Sequence, residues 1–195
     1  MATDAKPAQQ QRPALVALDL DGTLLRSDGS ISTRTRRALA DVEAGGIAIV
    51  SVTARPPRRV RQIARTVGLR GLAICSNGGV LYDVTADAVL RQVTLSETIA
   101  AAIVAGLRRD LPGVSFAIEA GLLYGCEASY VVQPEHARDA VDPEMLRDDA
   151  LTLCRLGVTK LIVQHPEHPL DHLLRVTRGH AGTLASARRA WACWR

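Results

Sequence analysis

The stretch PALVALDLDGTLL, Pro13–Leu25, decides how the rest of the chain is read. Ala14–Leu18 is an apolar run of strand length. Asp19 and Asp21 stand two apart at its end, followed by Gly22 and Thr23. An extended segment sends alternate side chains to one side, so the two carboxylates share a side. Like charges that close repel, and burial strengthens the repulsion. A solvated turn would disperse it. A hard divalent cation such as Mg²⁺ would use it, because Mg²⁺ takes oxygen ligands, keeps several waters and accepts a bound phosphate into its shell.

Working outward, the chain alternates strands and helices. A helix is predicted from a cap near Ser32 or Thr33 to Ala44, with Ala38, Leu39 and Val42 on one face and Gly45-Gly46 as its stop. Ile47–Val52 reads as a strand buried on both faces. Pro56-Pro57 opens a helix over Arg58–Val67, with Val60, Ile63, Ala64 and Val67 as its apolar stripe and Gly68 as its C-cap. Leu72–Cys75 is a third short strand. This order predicts an α/β fold with a parallel sheet and right-handed crossovers. Such sheets bind ligands outside the carboxyl ends of their strands, where Asp19 and Thr53 arrive together. Gly22 allows the sharp turn after the first strand.

After Asn77-Gly78-Gly79 the pattern changes. VLYD and AVLRQV are predicted to form a hairpin about Thr85–Asp87, and Ser96 to cap a helix running to Arg109. Val114–Cys126 offers a strand pair, Gln133–Arg147 a polar loop, Lys160–Gln164 a strand and Pro169–Thr177 a helix. Glu119, Tyr124 and Glu127 fall on the expected strands as candidates to face a ligand.

Composition excludes several classes. Of 195 residues, 47% are hydrophobic and 23% charged, which is globular, and with 3% aromatics the core must be aliphatic. No apolar run approaches the roughly 20 residues of a membrane span, and residues 1–13 carry no secretory segment and read as a disordered lead-in. The net charge is +4, with 22 arginines against two lysines, Lys6 and Lys160. That bias reads as coding composition. Arg58, Arg59, Arg61 and Arg65 read as a solvated helix face without the interleaved aromatics of a nucleic-acid groove. Neither nucleic acid nor membrane is expected as a partner, and the sequence leaves the oligomeric state open. The four cysteines form no CxxC pair; Cys75 and Cys154 are expected as buried thiols, which fits a reducing cytoplasm. His168 and His172, four apart on a possible helix, have no evident third metal ligand.

The chemistry follows from the residue types. A carboxylate at Asp19 can attack phosphorus to give an aspartyl-phosphate. Asp21 can protonate the leaving oxygen and then activate water. The Thr53 hydroxyl and the backbone N–H groups after it can receive the phosphoryl oxygens. Thr53 could instead serve as a helix N-cap, Arg55 could face solvent, and Asn77-Gly78 could merely shape a turn.

DLDGTLL at Asp19–Leu25, SVTARP at Ser51–Pro56 and SNGG at Ser76–Gly79 resemble the haloacid dehalogenase-like hydrolases. More narrowly they are similar to the Cof-type sugar-phosphate phosphatases, over Ala14–Thr177. The resemblance implies a Rossmann-like core over 14–84 and an inserted α/β cap over 85–195. It implies Asp19 as nucleophile, Asp21 as acid and base, and Thr53, Ala54, Arg55, Asn77 and Gly78 around the phosphate and substrate. It implies Mg²⁺ held by Asp19 and Asp21, and a small phosphorylated metabolite of sugar-phosphate type as substrate. Ala54 departs from the glycine usual there. A phosphomutase, or a non-catalytic fragment that binds phosphate or a partner, are the alternatives.

Two motifs of the family are absent: a lysine that balances charge and an acidic Gly-Asp-x-x-Asn-Asp loop. Lys160 in GVTK is followed by LIVQ, so it is predicted to start a strand and not to be that lysine. The tail RAWACWR, Arg189–Arg195, lacks periodicity and reads as a frameshift product within an aberrant segment 182–195. The expectation is an incomplete member of the family, weakly active or inactive, with an unprotected sheet edge.

Overall fold

The computed structural model describes residues 12–132 and 145–181. The segment 182–195, and most of the expected loop Gln133–Arg147, lie outside the described residues.

Two sheets are formed. The first contains β1 (Leu15–Asp19), β2 (Ala48–Val52), β3 (Leu72–Cys75), β4 (Val80–Asp83) and β5 (Ala88–Gln92), side by side in that order. β1, β2 and β3 are parallel; β4 and β5 add to them as an antiparallel hairpin. Between the parallel strands run α1 (Thr33–Ala44) and α2 (Pro57–Val67). Ser32 caps α1 by accepting the Thr35 N–H at 2.9 Å, and Gly68 ends α2 in the left-handed conformation at φ 77°. Leu39 of α1 and Val60, Ile63 and Val67 of α2 pack against Leu18, Ala73, Cys75 and Tyr82, so both helices cover the same sheet face. On the opposite face Leu15, Ala17 and Ala48 are exposed, and among the described residues no strand pairs with the outer edge of β1. The first sheet continues through β5 to Gln92, because β4 pairs with β3 and β5 with β4.

The second sheet has the order β8-β7-β6-β9: β6 (Ser115–Ala120), β7 (Leu123–Cys126), β8 (Leu146–Arg147) and β9 (Lys160–Gln164). α3 (Glu97–Asp110), the short α4 (Ala150–Leu153) and α5 (Leu170–Ala181) lie on one face of it. There Ala100, Val104 and Leu107 meet Phe116, Ile118, Leu153 and Leu173. β8 and α4 escape sequence patterning because they are two and four residues long. Glu127 braces this part from inside. Its carboxylate accepts the Phe116 N–H at 2.9 Å and the Ala150 N–H at 3.2 Å, and it pairs with Arg108. Its carboxylate is thereby committed to the protein's own groups as a structural anchor.

Asp87 sits in the β4–β5 turn, where it receives the Tyr82 hydroxyl and pairs with Arg61 at 2.7 Å. The Tyr82 hydrogen bond, and after it Arg61, holds the Asp87 carboxyl below the usual aspartate range, while burial and then Asp87 push the Tyr82 phenol up. A folded-state value below the unfolded one means this stability is complete above the ordinary aspartate range and lost as pH falls through it. Tyr82→Phe is expected to weaken the acid dependence of unfolding over that window, read from urea midpoints at pH 3 to 7. Glu127→Ala leaves two buried N–H groups without an acceptor and Arg108 with Asp149 as its carboxylate partner, and is expected to lower stability by about 2–4 kcal/mol in urea denaturation.

Candidate functional site

The site grows from the carboxyl ends of the parallel strands. Asp19, Val52 and Ile74 stand in one row across β1, β2 and β3. The residues just beyond that row therefore leave the sheet together, and Thr53 emerges beside the end of β1. After Asp19 the chain turns through Gly22 at φ 75°, closed by the Leu24 N–H to the Asp19 carbonyl at 3.2 Å and the Leu25 N–H to the Leu20 carbonyl at 2.8 Å.

The loop at 53–55 is held against the turn at 76–78. The Thr53 N–H donates to the Ile74 carbonyl at 2.9 Å, the Ser76 N–H to the Arg55 carbonyl at 2.9 Å, and the Asn77 N–H to the Thr53 carbonyl at 3.4 Å. Thr53 is buried, and its hydroxyl accepts the Arg55 N–H at 3.1 Å. It does not cap α2, whose N-cap is Pro56 with no side-chain hydrogen bond. Ser76, Asn77 and Gly78 all take positive φ, 51°, 59° and 93°. Glycine adopts that conformation freely, whereas Ser76 and Asn77 hold it at a cost.

Arg55 reaches Asp21. Its Nε lies 2.8 Å and its terminal nitrogen 2.6 Å from the two carboxylate oxygens, a fork that fixes where Asp21 points. The structure thus joins Asp21 to Arg55, Arg55 to Thr53 and Thr53 to Asn77, with Asp19 one strand away in register. Gly78 completes the turn; Ala54 is exposed and offers its carbonyl to Lys160 Nζ at 2.8 Å.

That last contact was invisible in sequence. Lys160 does start a strand, as expected, yet its ammonium also lies 3.3 Å from Glu119, whose carboxylate is fully buried and accepts the Ser76 hydroxyl at 3.3 Å. Burial, and after it the Glu119 charge, pushes the Cys75 thiol up to about 12. Arg58 and Arg59 depart from the expected solvated face. Both are buried; the Arg58 guanidinium rests 4.2 Å from the Tyr124 ring centre, and Arg59 donates to Gln62 at 3.0 Å. Arg65 remains exposed. His168 precedes α5, stacks on His165 and His172 at 4.2 and 4.5 Å, and forms no metal cluster among the described residues. Cys75, Cys126 and Cys154 are free and buried. No described helix is long and apolar enough to cross a membrane.

The family model of haloacid dehalogenase-like hydrolases matches residues 16–152, and the chain belongs to that family. It is 32% identical over 85 residues to the 5-amino-6-(5-phospho-D-ribitylamino)uracil phosphatase YcsE of Bacillus subtilis, covering 44% of this chain and 34% of that protein. It is 28% identical over 131 residues to the pyridoxal phosphate phosphatase YbhA of Escherichia coli, covering 67% of this chain and 48% of that one. The matches thus span less than half the length of these curated relatives. Among solved structures, TM0651 from Thermotoga maritima superposes with a TM-score of 0.73 at 19% identity, over 92% of this chain and 67% of its own. The fold is therefore that of the family: a Rossmann-like parallel-sheet core with a second α/β part.

The strained turn gives a direct test. Asn77→Val places a β-branched residue at φ 59° and is expected to cost about 1–2 kcal/mol in thermal unfolding, while Asn77→Gly is tolerated.

Proposed function

We propose that this chain carries phosphomonoester hydrolase chemistry, with a small phosphorylated metabolite of sugar-phosphate type as substrate. One observation carries the reading: Asp19 ends β1 in the same cross-strand row as Val52, so Thr53 and its locked loop leave the sheet beside it. A nucleophile, a phosphate cradle and a second carboxylate thereby share one rim. The two relatives above are named as phosphatases of small phosphate esters, which supports the same reading.

In the first step a carboxylate oxygen of Asp19 forms a bond to phosphorus while the ester P–O bond breaks, and Asp21 gives a proton to the departing oxygen. In the second, Asp21 takes a proton from water, the hydroxide attacks the aspartyl-phosphate, and inorganic phosphate leaves with Asp19 restored. The Thr53 hydroxyl, oriented by the Arg55 N–H that it receives, and the Ala54 N–H hold the phosphoryl oxygens. Arg55 must release Asp21 before that proton can move, and the incoming phosphate is the anion that competes for the guanidinium. Asn77 and Gly78 border the cradle and meet the substrate there.

The donor set fits Mg²⁺. Asp19 and Asp21 supply hard oxygens, and no three His, Cys, Asp or Glu side chains converge among the described residues, so water and phosphate would provide the remaining ligands. When bound, the ion would neutralise charge on the transferring group. Three free, buried thiols support a reducing, cytoplasmic setting.

Turnover of p-nitrophenyl phosphate with Mg²⁺ is expected to fall to background in Asp19→Asn and after chelation with EDTA. Acid-stable phosphate incorporation from a labelled ester is expected to vanish in the same variant. Phosphate binding without any turnover, unchanged in Asp19→Asn, would identify a binding module instead.

A further inference from the structure

Three residues of the second sheet stand in one cross-strand row. Glu119 on β6 pairs with Tyr124 on β7 and with Lys160 on β9, so all three point from the same face. That face is opposite the one covered by α3, α4 and α5. Each member of the row touches a different segment of the first sheet's rim: Lys160 the Ala54 carbonyl, Glu119 the Ser76 hydroxyl, and Tyr124 the Arg58 guanidinium. Ala54 and Ser76 belong to the two segments that are tied together at the candidate phosphate site, and Arg58 lies in the first turn of the helix that follows them.

We propose that Lys160 is a positioning residue: through the row Tyr124–Glu119–Lys160 the second sheet sets the conformation of the phosphate-binding loop. The inference rests on the reading of 53–55 as that loop. The polarity of the row suits the task. Lys160 offers a donor and Glu119 an acceptor, and the rim answers with a carbonyl and a hydroxyl. A carbonyl fixed by an ammonium fixes the peptide plane of Ala54 and Arg55, and with it the direction of the Arg55 N–H that the Thr53 hydroxyl receives. Lys160 stands among 22 arginines, and the compact ammonium is the group that can serve a carbonyl at 2.8 Å and a carboxylate at 3.3 Å together. Glu119 keeps that ammonium in place from the neighbouring strand. Lys160 acts through Ala54 and does not itself take part in bond making.

The test compares Lys160→Met with Gln92→Met. Gln92 also joins the two sheets, donating to the Gly157 carbonyl at 3.1 Å and the Thr159 hydroxyl at 2.7 Å, but it does not touch the loop. Amide exchange at residues 53–55 and 76–77, and affinity for inorganic phosphate with Mg²⁺ by calorimetry, are read in both. Lys160→Met is expected to speed exchange of the Arg55 and Asn77 amides at least tenfold and to weaken phosphate binding about tenfold. Gln92→Met should leave both within twofold of the starting protein. Unchanged loop exchange in Lys160→Met, or equal effects in the two variants, overturns the proposal. Absence of phosphate binding in the unsubstituted protein would instead remove the phosphate-loop reading, while exchange still decides whether Lys160 positions the segment.

Discussion

Three backbone hydrogen bonds between 53–55 and 74–77 are the constraint on which the site depends. Parallel strands end with amides and carbonyls that the ladder no longer satisfies, and here the exits of β2 and β3 satisfy each other. The price is paid in conformation, with Ser76 and Asn77 held at positive φ. In return the rim gains a loop tied on both sides beside the end of β1. A backbone held this way need not reorganise as charge develops next to it, which is a condition for electrostatic stabilisation.

The second sheet adds a separate layer of control. It does not merely sit over the first: the Tyr124–Glu119–Lys160 row carries a ring, a carboxylate and an ammonium to three neighbouring points on the rim. Buried polar groups are tolerated when they find partners, and a row tied by hydrogen bonds resists sliding more than an apolar contact of the same size. Glu119, buried among strands, is costly alone and useful only with Lys160 and Ser76 around it.

Much of this was legible in the chain itself. Leu15–Asp19, Ala48–Val52 and Leu72–Cys75 are short apolar runs with unmistakable stops, and the helix periodicity of Val60, Ala64 and Val67 points to the face that packs. The placement of Asp19 and Thr53 at one rim follows from that order alone. What could not be read is what distant segments do to one another. Lys160 meets Ala54 across 106 positions, and nothing local in GVTK announces it. Arg58 looks solvated on a helical wheel because the wheel knows only its own helix; the ring over it comes from Tyr124 of β7, far along the chain. β8 and α4 are too short for any periodicity, and β8 is a strand only because β7 lies beside it.

The strand order of the first sheet has a consequence for how it comes into being. Each strand lies beside the one made just before it, β1 to β5 without a skip. A chain emerging from the ribosome can therefore lay down this sheet in the order of its synthesis, every new strand finding its template already in place. Loop closures stay short, and the entropy spent on each is recovered before the next is begun.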